Sequence, residues 1–505
     1  MKRRVTAIVV TWNRADAVIG VLGALSRQRV PEEFALDVIV VDNASTDGTS
    51  ERLKRDGWVD GVLRNDAQAA HEPRFVREHS VAGRGHGAAG SVVVVRNATN
   101  FGGCGGFNTG MLAAEHLGAP TFLWLVDDDV DLPEDALGQL LTAMDSDGRI
   151  GLVGSRTCDI DARDRTIEST IYLDRERGVM CDEPPPGHRL HSSHVAWAQD
   201  TGGPKGRGPY SGVREVDVVS ACSMLARWRA VEDVGLWDKR YFLYCDDADW
   251  CLRMAQNGWL VVLNLDAVVY HTPWHQKLTP ARAYYAQRNL LWMLAKIEPL
   301  SEAQRVTGAR IRALLDESLR HALGGRIDHA EILLRACEDA ATGRDGPVAL
   351  DAPKRANPTA LAGGGCVGVF VSREEHWAES AALRRGFGGR WIECVKNVVP
   401  HAHEAAPDGV KRIVYSRRRR SRLRRALGLW IRPPRVLVQF DREGDLPVVR
   451  HAWSVQMAPG SEVGEIEKGG VLRLVKFWRR WRAARRRCLA WADRLTPPPR
   501  QDRFG

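Results

Sequence analysis

The sequence predicts an α/β fold: a mainly parallel, twisted sheet, followed by a smaller, basic region of mixed α/β character. Three observations carry this. Residues 5–10 (VTAIVV) and 37–42 (DVIVVD) are short, β-branched apolar runs, as expected of strands covered on both faces. The stretch between them, about 15–28, has helical periodicity, which makes a β-α-β opening with parallel strands. Runs at 92–95 (VVVV) and 121–126 (TFLWLV), with a helix near 108–117 between them, continue the alternation. Sheets of this kind collect ligands at the carboxyl ends of their strands. Asp42 to Ser45 and Asp127 to Asp129 fall at such ends.

The remaining elements are less regular. Residues 64–90 and 183–212 are polar, glycine-rich segments that read as long loops. A helical segment is expected over 301–340, then a Gly/Pro/Ala-rich linker at 343–365. Strand-like runs at 367–371 and 436–440 begin a second unit. The expected division is 1–300, 301–365 and 366–505.

Composition bounds the function. The 505 residues are 44% hydrophobic and 27% charged, which excludes wholesale disorder and fibrous architectures. The formal net charge is +9, but residues from 401 onward hold 25 basic and 10 acidic side chains, so the first 400 are mildly acidic. There is no run of about 20 apolar residues, so no membrane-crossing helix is expected. The opening Met1-Lys2-Arg3-Arg4 and its short apolar run read as a first strand rather than a signal peptide. Ten cysteines without a CxxC pair suggest reduced thiols and a cytoplasmic setting.

Four clusters carry chemistry. Asp127-Asp128-Asp129 sets three carboxylates at a strand end. Alternating hard oxygen ligands suit Mg²⁺ or Mn²⁺ shared with a phosphate, and the alternative is a solvated acidic turn leading into Leu132-Pro133-Glu134. The segment from Asn100 to Gly110 (NFGGCGGFNTG) permits close backbone approach, to a phosphate or to a packed sheet; it lacks Gly-Lys-Ser/Thr and is no P-loop. Asp246 and Asp247 lie where a helix would start, positioned to accept a proton, or simply to cap that helix. His271 ends a strand and is either a third metal ligand or structural.

Together these clusters resemble the family-2 inverting glycosyltransferases of the GT-A fold. The matching residues are Val-Val-Thr11-Trp12-Asn13-Arg14, the Asp42 to Thr49 segment, Asn100 to Gly110 and Asp127-Asp128-Asp129. They continue through Val216 to Met224, Gly235 to Asp238, Asp246-Asp247-Ala-Asp249 and His271, in order over about residues 1–295. The triple Asp, the Asp-Asp-Ala-Asp-Trp block and Tyr284 to Asn289 look most like bacterial galactofuranosyl- and rhamnosyl-transferases. The resemblance implies that Asp127, Asp129 and His271 hold Mn²⁺ or Mg²⁺. It implies that Thr11, Trp12, Asn13, Arg14, Asp42, Asn100, Gly102, Gly103, Asn108 and Asp128 line the site of a UDP- or dTDP-sugar. It makes Asp247 the base for the acceptor hydroxyl, with Asp246 orienting a hydroxyl beside it. The implied acceptor is a cell-envelope glycan or polyprenyl-linked glycan. Where the family has Ser-Gly, this chain has Ser220-Ala221, a departure at the acceptor side.

Residues 411–435 hold eleven Lys/Arg and no acid, and residues 471–487 eight more. Val471, Leu474, Val475, Trp478 and Trp481 fall at helical spacing within an amphipathic helix near 471–492. An Arg-rich helix with a Trp-bearing apolar face suits an anionic membrane surface, a nucleic acid, or packing on its own domain. With the enzyme reading, the expectation is peripheral contact at the inner face of the cytoplasmic membrane and no nucleic acid. Two other functions fit parts of the chain. A nucleotidyltransferase acting on sugar phosphates would need a basic glycine loop after the first strand, where Thr11-Trp12-Asn13-Arg14 stands. A non-enzymatic polyanion-binding protein would leave Asp127, Asp129, Asp247 and His271 without a common task.

Overall fold

The computed structural model describes residues 2–67, 73–78, 86–201, 211–273, 279–323, 325–350, 354–385, 387–396, 399–415, 434–440, 453–457, 461, 463–468 and 471–497. An eleven-stranded sheet forms the larger unit. Its strands are β1 (Arg3–Thr11), β2 (Phe34–Asp42), β3 (Gly61–Asn65), β4 (Phe75–Arg77), β5 (Ala89–Asn97) and β6 (Phe122–Asp127). They continue with β7 (Ile150–Asp159), β8 (Thr166–Glu168), then, past a separate hairpin of β9 (Tyr172–Asp174) and β10 (Val179–Cys181), β11 (Val213–Glu215), β12 (Ser223–Arg227) and β13 (Leu260–His271).

The sheet order is β11-β13-β7-β12-β6-β1-β2-β5-β3-β4, with β8 on β7. Strands β3, β5, β2, β1 and β6 are parallel, and β12 runs antiparallel between β6 and β7. The chain steps from β1 to β2 on one side and returns to β6 on the other. The carboxyl ends of β1 and β6 therefore flank a crevice where strand order reverses, the usual ligand position in such sheets. The expected first strands and helix are present, the helix as Ala15–Ser26, whose Val18, Val21, Leu22 and Leu25 are buried.

The helix expected near 108–117 begins earlier, at Gly102, and runs to His116. It lies so close to the sheet that a Cβ on Gly106 would sit 2.4 Å from Val10 Cγ1, and one on Gly110 2.3 Å from Ile8 Cγ2. The glycines are thus the condition for a helix pressed flat on β1, rather than a flexible loop before one.

The segments expected as loops carry structure of their own. Strand β4 lies within 64–90, of which residues 68–72 and 79–85 fall outside the described residues. The helix His191–Thr201 lies within 183–212, of which 202–210 fall outside. The 301–340 segment is two helices, Leu300–Leu323 and Ile327–Thr342, and Val306, Ile311, Leu314, Leu333 and Leu334 join the same core as Met224, Leu263 and Trp292. It is part of the larger unit's core instead of a spacer. The linker 343–365 contains a short strand, Lys354–Ala356, and a helical turn, Pro358–Ala362.

A second sheet of seven strands spans Lys354 to Lys468. Its five parallel strands lie in the order Val410–Tyr415, Arg390–Lys396, Cys366–Val371, Val436–Gln439, Trp453–Gln456, a doubly wound arrangement with its own core of Val367, Val369, Trp391 and Val438. The chain then returns as the helix Val471–Asp493, which packs on Leu300–Leu323 and Ile327–Thr342. Its inward side chains are Phe477, Ala484, Cys488 and Ala492, with Leu474 and Trp481 partly buried. The expected apolar face is thereby corrected: Val475 and Trp478 point outward, because Phe477 and the small side chains are what the two-helix groove accepts. The side chain of Val471 lies outside the described residues, as do 416–433 of the basic run. All ten cysteines are free. Among the described residues no helix is long and apolar enough to cross a membrane.

Gly110→Ala is expected to destabilise by about 1–3 kcal/mol through overpacking against Ile8. Gly20→Ala, in a helix where an added Cβ meets nothing within 4 Å, is expected to stabilise by about 0.5–1 kcal/mol. Urea unfolding midpoints of the two variants check both signs.

Candidate active site

The crevice beside β1 is lined with carboxylates, each fixed differently. Thr11, the last residue of β1, donates its hydroxyl to Asp128 Oδ2 at 2.7 Å. Arg14 reaches back from the following turn to Asp128 Oδ1 at 3.1 Å and Asp129 Oδ2 at 2.8 Å. Burial pushes the Asp128 carboxyl up to about 6, although Thr11 and Arg14 both pull it down. The middle Asp of the trio is therefore tied to Thr11 and Arg14, and Asp129 shares Arg14 with it.

Asp127 and Asp129 are joined by His271 from β13, four sheet positions away from β1. Reciprocal backbone hydrogen bonds between Asp131 and Tyr270, at 2.9 and 3.0 Å, lash the end of β13 to the turn after β6. His271 Nε2 then lies 3.0 Å from Asp129 Oδ1 and 3.7 Å from Asp127 Oδ2. Ligand atoms of all three fall within 4.8 Å of one another, the one group of three or more potential metal ligands among the described residues. Two carboxylates and an imidazole, partly exposed and convergent, fit a hard divalent cation such as Mn²⁺ or Mg²⁺ that keeps further positions for phosphate oxygens.

Asp246 and Asp247 open the helix Asp246–Gln256. Asp247 accepts from the backbone N–H of Ala248 at 2.7 Å and of Ala221 at 3.2 Å. Burial, then the neighbouring Asp247, pushes Asp246 well above the usual carboxylate range. Burial raises Asp247 too, opposed by the Ala221 and Ala248 N–H groups, with the charge of Asp127 adding to the rise. Raised proton affinity and electrostatic proximity to the trio suit a proton acceptor. The Ala221 segment also links the groups directly, since Cys222 O accepts from Asp127 N at 3.2 Å.

Residues to which the sequence reading gave no binding or catalytic role hold these groups in place. Tyr244 and Cys245, just before Asp246, both have left-handed backbones, with φ of 71° and 60°. The buried Asn289 amide donates to Leu243 O at 2.7 Å and Tyr244 O at 2.9 Å, bracing that turn. Lys296 bridges Asp238 at 2.6 Å and Asp249 at 2.7 Å, and Arg253 pairs with Asp249 at 2.9 Å. Lys296 and Arg240 hold the Asp238 carboxyl far below its ordinary range against its burial. Asn43 is a further hub, donating to Asn100 Oδ1 and Gly102 O and accepting from Phe101 and Asn97. A buried Asn directly after Asp42 at a strand end was the available signal for it.

The remaining expected residues divide. Asp42 is buried and accepts from Ser45 N at 2.8 Å and from the Ser50 hydroxyl. Asn13 accepts from Thr46 N at 2.7 Å, joining the turns after β1 and β2, and Trp12 beside it is 51% exposed. The phosphate-facing role expected for the glycine segment is corrected. A Cβ on Gly102 would meet Phe242 O at 2.0 Å, Gly103 packs toward Leu243, and Asn100 is held by Asn43 and Gly102 N. Asn108 is 1% exposed and exchanges both its amide bonds with the backbone of Trp237. These four seat the helix and the Phe242–Cys245 turn, because the glycine helix is buried between sheet and turn.

Lys296→Met leaves Asp238 and Asp249 buried with fewer cations and is expected to cost about 3–5 kcal/mol. Arg149→Met, which removes an exposed pair with Asp147, is expected to leave the unfolding midpoint unmoved. Denaturant unfolding of both variants checks the contrast.

Residues 74–295 match the sequence model of a family described as glycosyltransferase like family 2. This stretch carries the acidic trio, Asp246, Asp247 and His271, and starts after β1 and β2. A curated relative, the dTDP-rhamnosyl transferase RfbF of Shigella flexneri, is 24% identical over 233 residues, 41% of this chain and 71% of that protein. Among solved structures, a mannosyltransferase from Pyrobaculum calidifontis in complex with GDP-Man and Mn²⁺ overlays with a TM-score of 0.37 at 16% identity, over 68% of this chain and 77% of that one. S. aureus TarS overlays with a TM-score of 0.41 at 14% identity, over 68% of this chain and 49% of that one. The family match thus falls on residues 74–295 of the 505, and this stretch of the large, mainly parallel sheet is what is similar to glycosyltransferase family 2.

Proposed function

We propose that the protein transfers a galactofuranose- or rhamnose-like sugar, with inversion, from a UDP- or dTDP-sugar to a hydroxyl of a cell-envelope glycan or lipid-linked acceptor. The observation that carries this reading is the convergence of Asp127, Asp129 and His271 at the crevice that also holds Asp247. The likeness to a rhamnosyl transferase named for a dTDP-linked donor supports the choice of sugar.

Thr11, Asn13 and Asp42 border the position of base and ribose, with the exposed Trp12 offering a ring face for stacking. Asp127, Asp129 and His271 would hold the divalent ion, whose charge stabilises the departing diphosphate. Arg14 keeps Asp128 and Asp129 oriented, so the ligand set is preorganised. Asp247 takes the proton of the acceptor hydroxyl through its free lone pairs. The hydroxyl oxygen forms its bond to the anomeric carbon as the bond to the diphosphate oxygen breaks, and the electron pair leaves with the nucleotide. Attack opposite the leaving group inverts the anomeric centre. Asp246, next to the base, orients a sugar hydroxyl. Ala221 stands beside Asp247 where the acceptor would enter, so its methyl group is a determinant of acceptor shape.

Asp247→Asn is expected to lower kcat by about a hundred- to ten-thousand-fold while nucleotide binding persists. Assays of nucleoside-diphosphate release with isothermal calorimetry of the same variant check this. Asp127→Ala combined with Asp129→Ala is expected to abolish both Mn²⁺ binding and metal-dependent transfer. Unaltered metal dependence in that variant rules out the proposed ligand set.

A further inference from the structure

The helix Val471–Asp493 has two faces with different occupants. The inner face is packed by Phe477, Trp481, Ala484, Cys488 and Ala492, and Trp481 Nε1 donates to Leu315 O at 2.9 Å. One flank is neutralised: Arg473 pairs with Asp328, and Arg480 and Arg487 both pair with Glu338. These three arginines recur every seven residues, which fixes the helix's rotation on the domain.

That rotation leaves the opposite side uncovered. Leu472, Val475 and Trp478 recur every three residues there and are 80%, 41% and 45% exposed. They are three of the few large hydrophobic side chains the described residues expose. Around them project Lys476, Arg479, Arg482, Arg485 and Arg486, all exposed, and among the described residues none of these five makes an ion pair. The Arg482 guanidinium lies 4.8 Å from the centre of the Trp478 ring. No acidic residue occurs from 469 to 492.

We propose that this outer face is a docking surface for an anionic lipid bilayer. A solvated helix face has no physical reason to keep Leu472, Val475 and Trp478 in water at one end of a surface devoid of acids. A bilayer interface accepts both halves of the pattern: the apolar trio and the Trp ring at headgroup depth, and the five cations against anionic headgroups. A nucleic acid would use the cations and leave the Leu472–Val475 edge without a partner. The helix is locked in place by the inner face, so the surface is preformed and no folding on contact is required.

Because Phe477 and Trp481 belong to the core, the test uses substitutions in the full chain instead of truncation. The full-length protein is floated with vesicles of neutral phosphatidylcholine and with vesicles containing anionic phosphatidylglycerol. Flotation on anionic vesicles, reversed by high salt, is expected. Combined Arg479→Gln, Arg482→Gln and Arg486→Gln is expected to weaken it about a hundredfold. Leu472→Ser with Trp478→Ser is expected to weaken it with all charges kept. Circular dichroism and the unfolding midpoint of each variant are expected to match the parent. Equal flotation on neutral vesicles, or none on either, overturns the proposal. So does loss of binding in the charge variant but not in the apolar one, together with tight binding of duplex DNA, which assigns the face to nucleic acid. Transfer activity toward a soluble acceptor is read separately and is expected to be unchanged, so failure here and failure of the enzymatic reading are distinguishable.

Discussion

Five carboxylates, Asp127, Asp128, Asp129, Asp246 and Asp247, meet at one edge of a sheet whose interior is apolar. Bringing them together is the constraint on which the site depends. In a low-dielectric crevice unpaired anions repel strongly, and each must be balanced or protonated. The protein balances them unequally. Asp128 is bound by Thr11 and Arg14, Asp247 by two backbone N–H groups, and Asp246 is driven toward its neutral form by burial and by its neighbour. Asp127 and Asp129 converge with His271, and Asp129 also pairs with Arg14. In the proposed reaction, this unequal balance would separate binding from proton transfer within a single cluster.

Such a cluster holds its geometry only if the backbone behind it is stiff. The glycine helix, pressed onto Val10 and Ile8, seats the Phe242–Cys245 turn from one side, and Asn289 braces it from the other. The buried Lys296 bridge ties the helix of Asp246 to Asp238. Left-handed backbone at Tyr244 and Cys245 is unfavourable for residues with side chains and persists where surrounding contacts impose it. Here those contacts are named, and all lie behind the proposed base.

Much of this was legible in the sequence, for identifiable reasons. Buried parallel strands leave apolar runs, so β1, β2, β5 and β6 could be located, and with them the acidic residues at their ends. His271 was legible as a strand-terminal His, but its meeting with Asp129 depends on the pairing of Asp131 with Tyr270, a long-range contact with no local sign. The glycine segment misled because one composition serves both phosphate approach and helix–sheet contact; the neighbour decides, and here it is Val10, Ile8 and Phe242. Asn108 likewise turned inward to Trp237. Asn289 was legible only as part of the Tyr284 to Asn289 block and Lys296 not at all, because a buried amide or cation reads as polar surface until its partners are known. On the last helix the face expected to be uniformly apolar and outward is split, since Leu474 and Trp481 pack with Phe477 and the alanines in the two-helix groove while Val475 and Trp478 stay exposed.

The return of the last helix to Leu300–Leu323 and Ile327–Thr342 changes what the smaller sheet is. Residues between Thr342 and Val471 leave the helical layer and come back to it, so the doubly wound sheet is an insertion within a discontinuous domain rather than an appendage at the end of the chain. Glu467, just before the return, accepts from Asp328 N at 2.9 Å, where Ile327–Thr342 begins. The helical layer is therefore closed by a segment far along the chain from the two helices it covers. Its core is completed across the inserted sheet, so the contacts of Phe477 and Trp481 join segments that have the whole of that sheet between them in sequence.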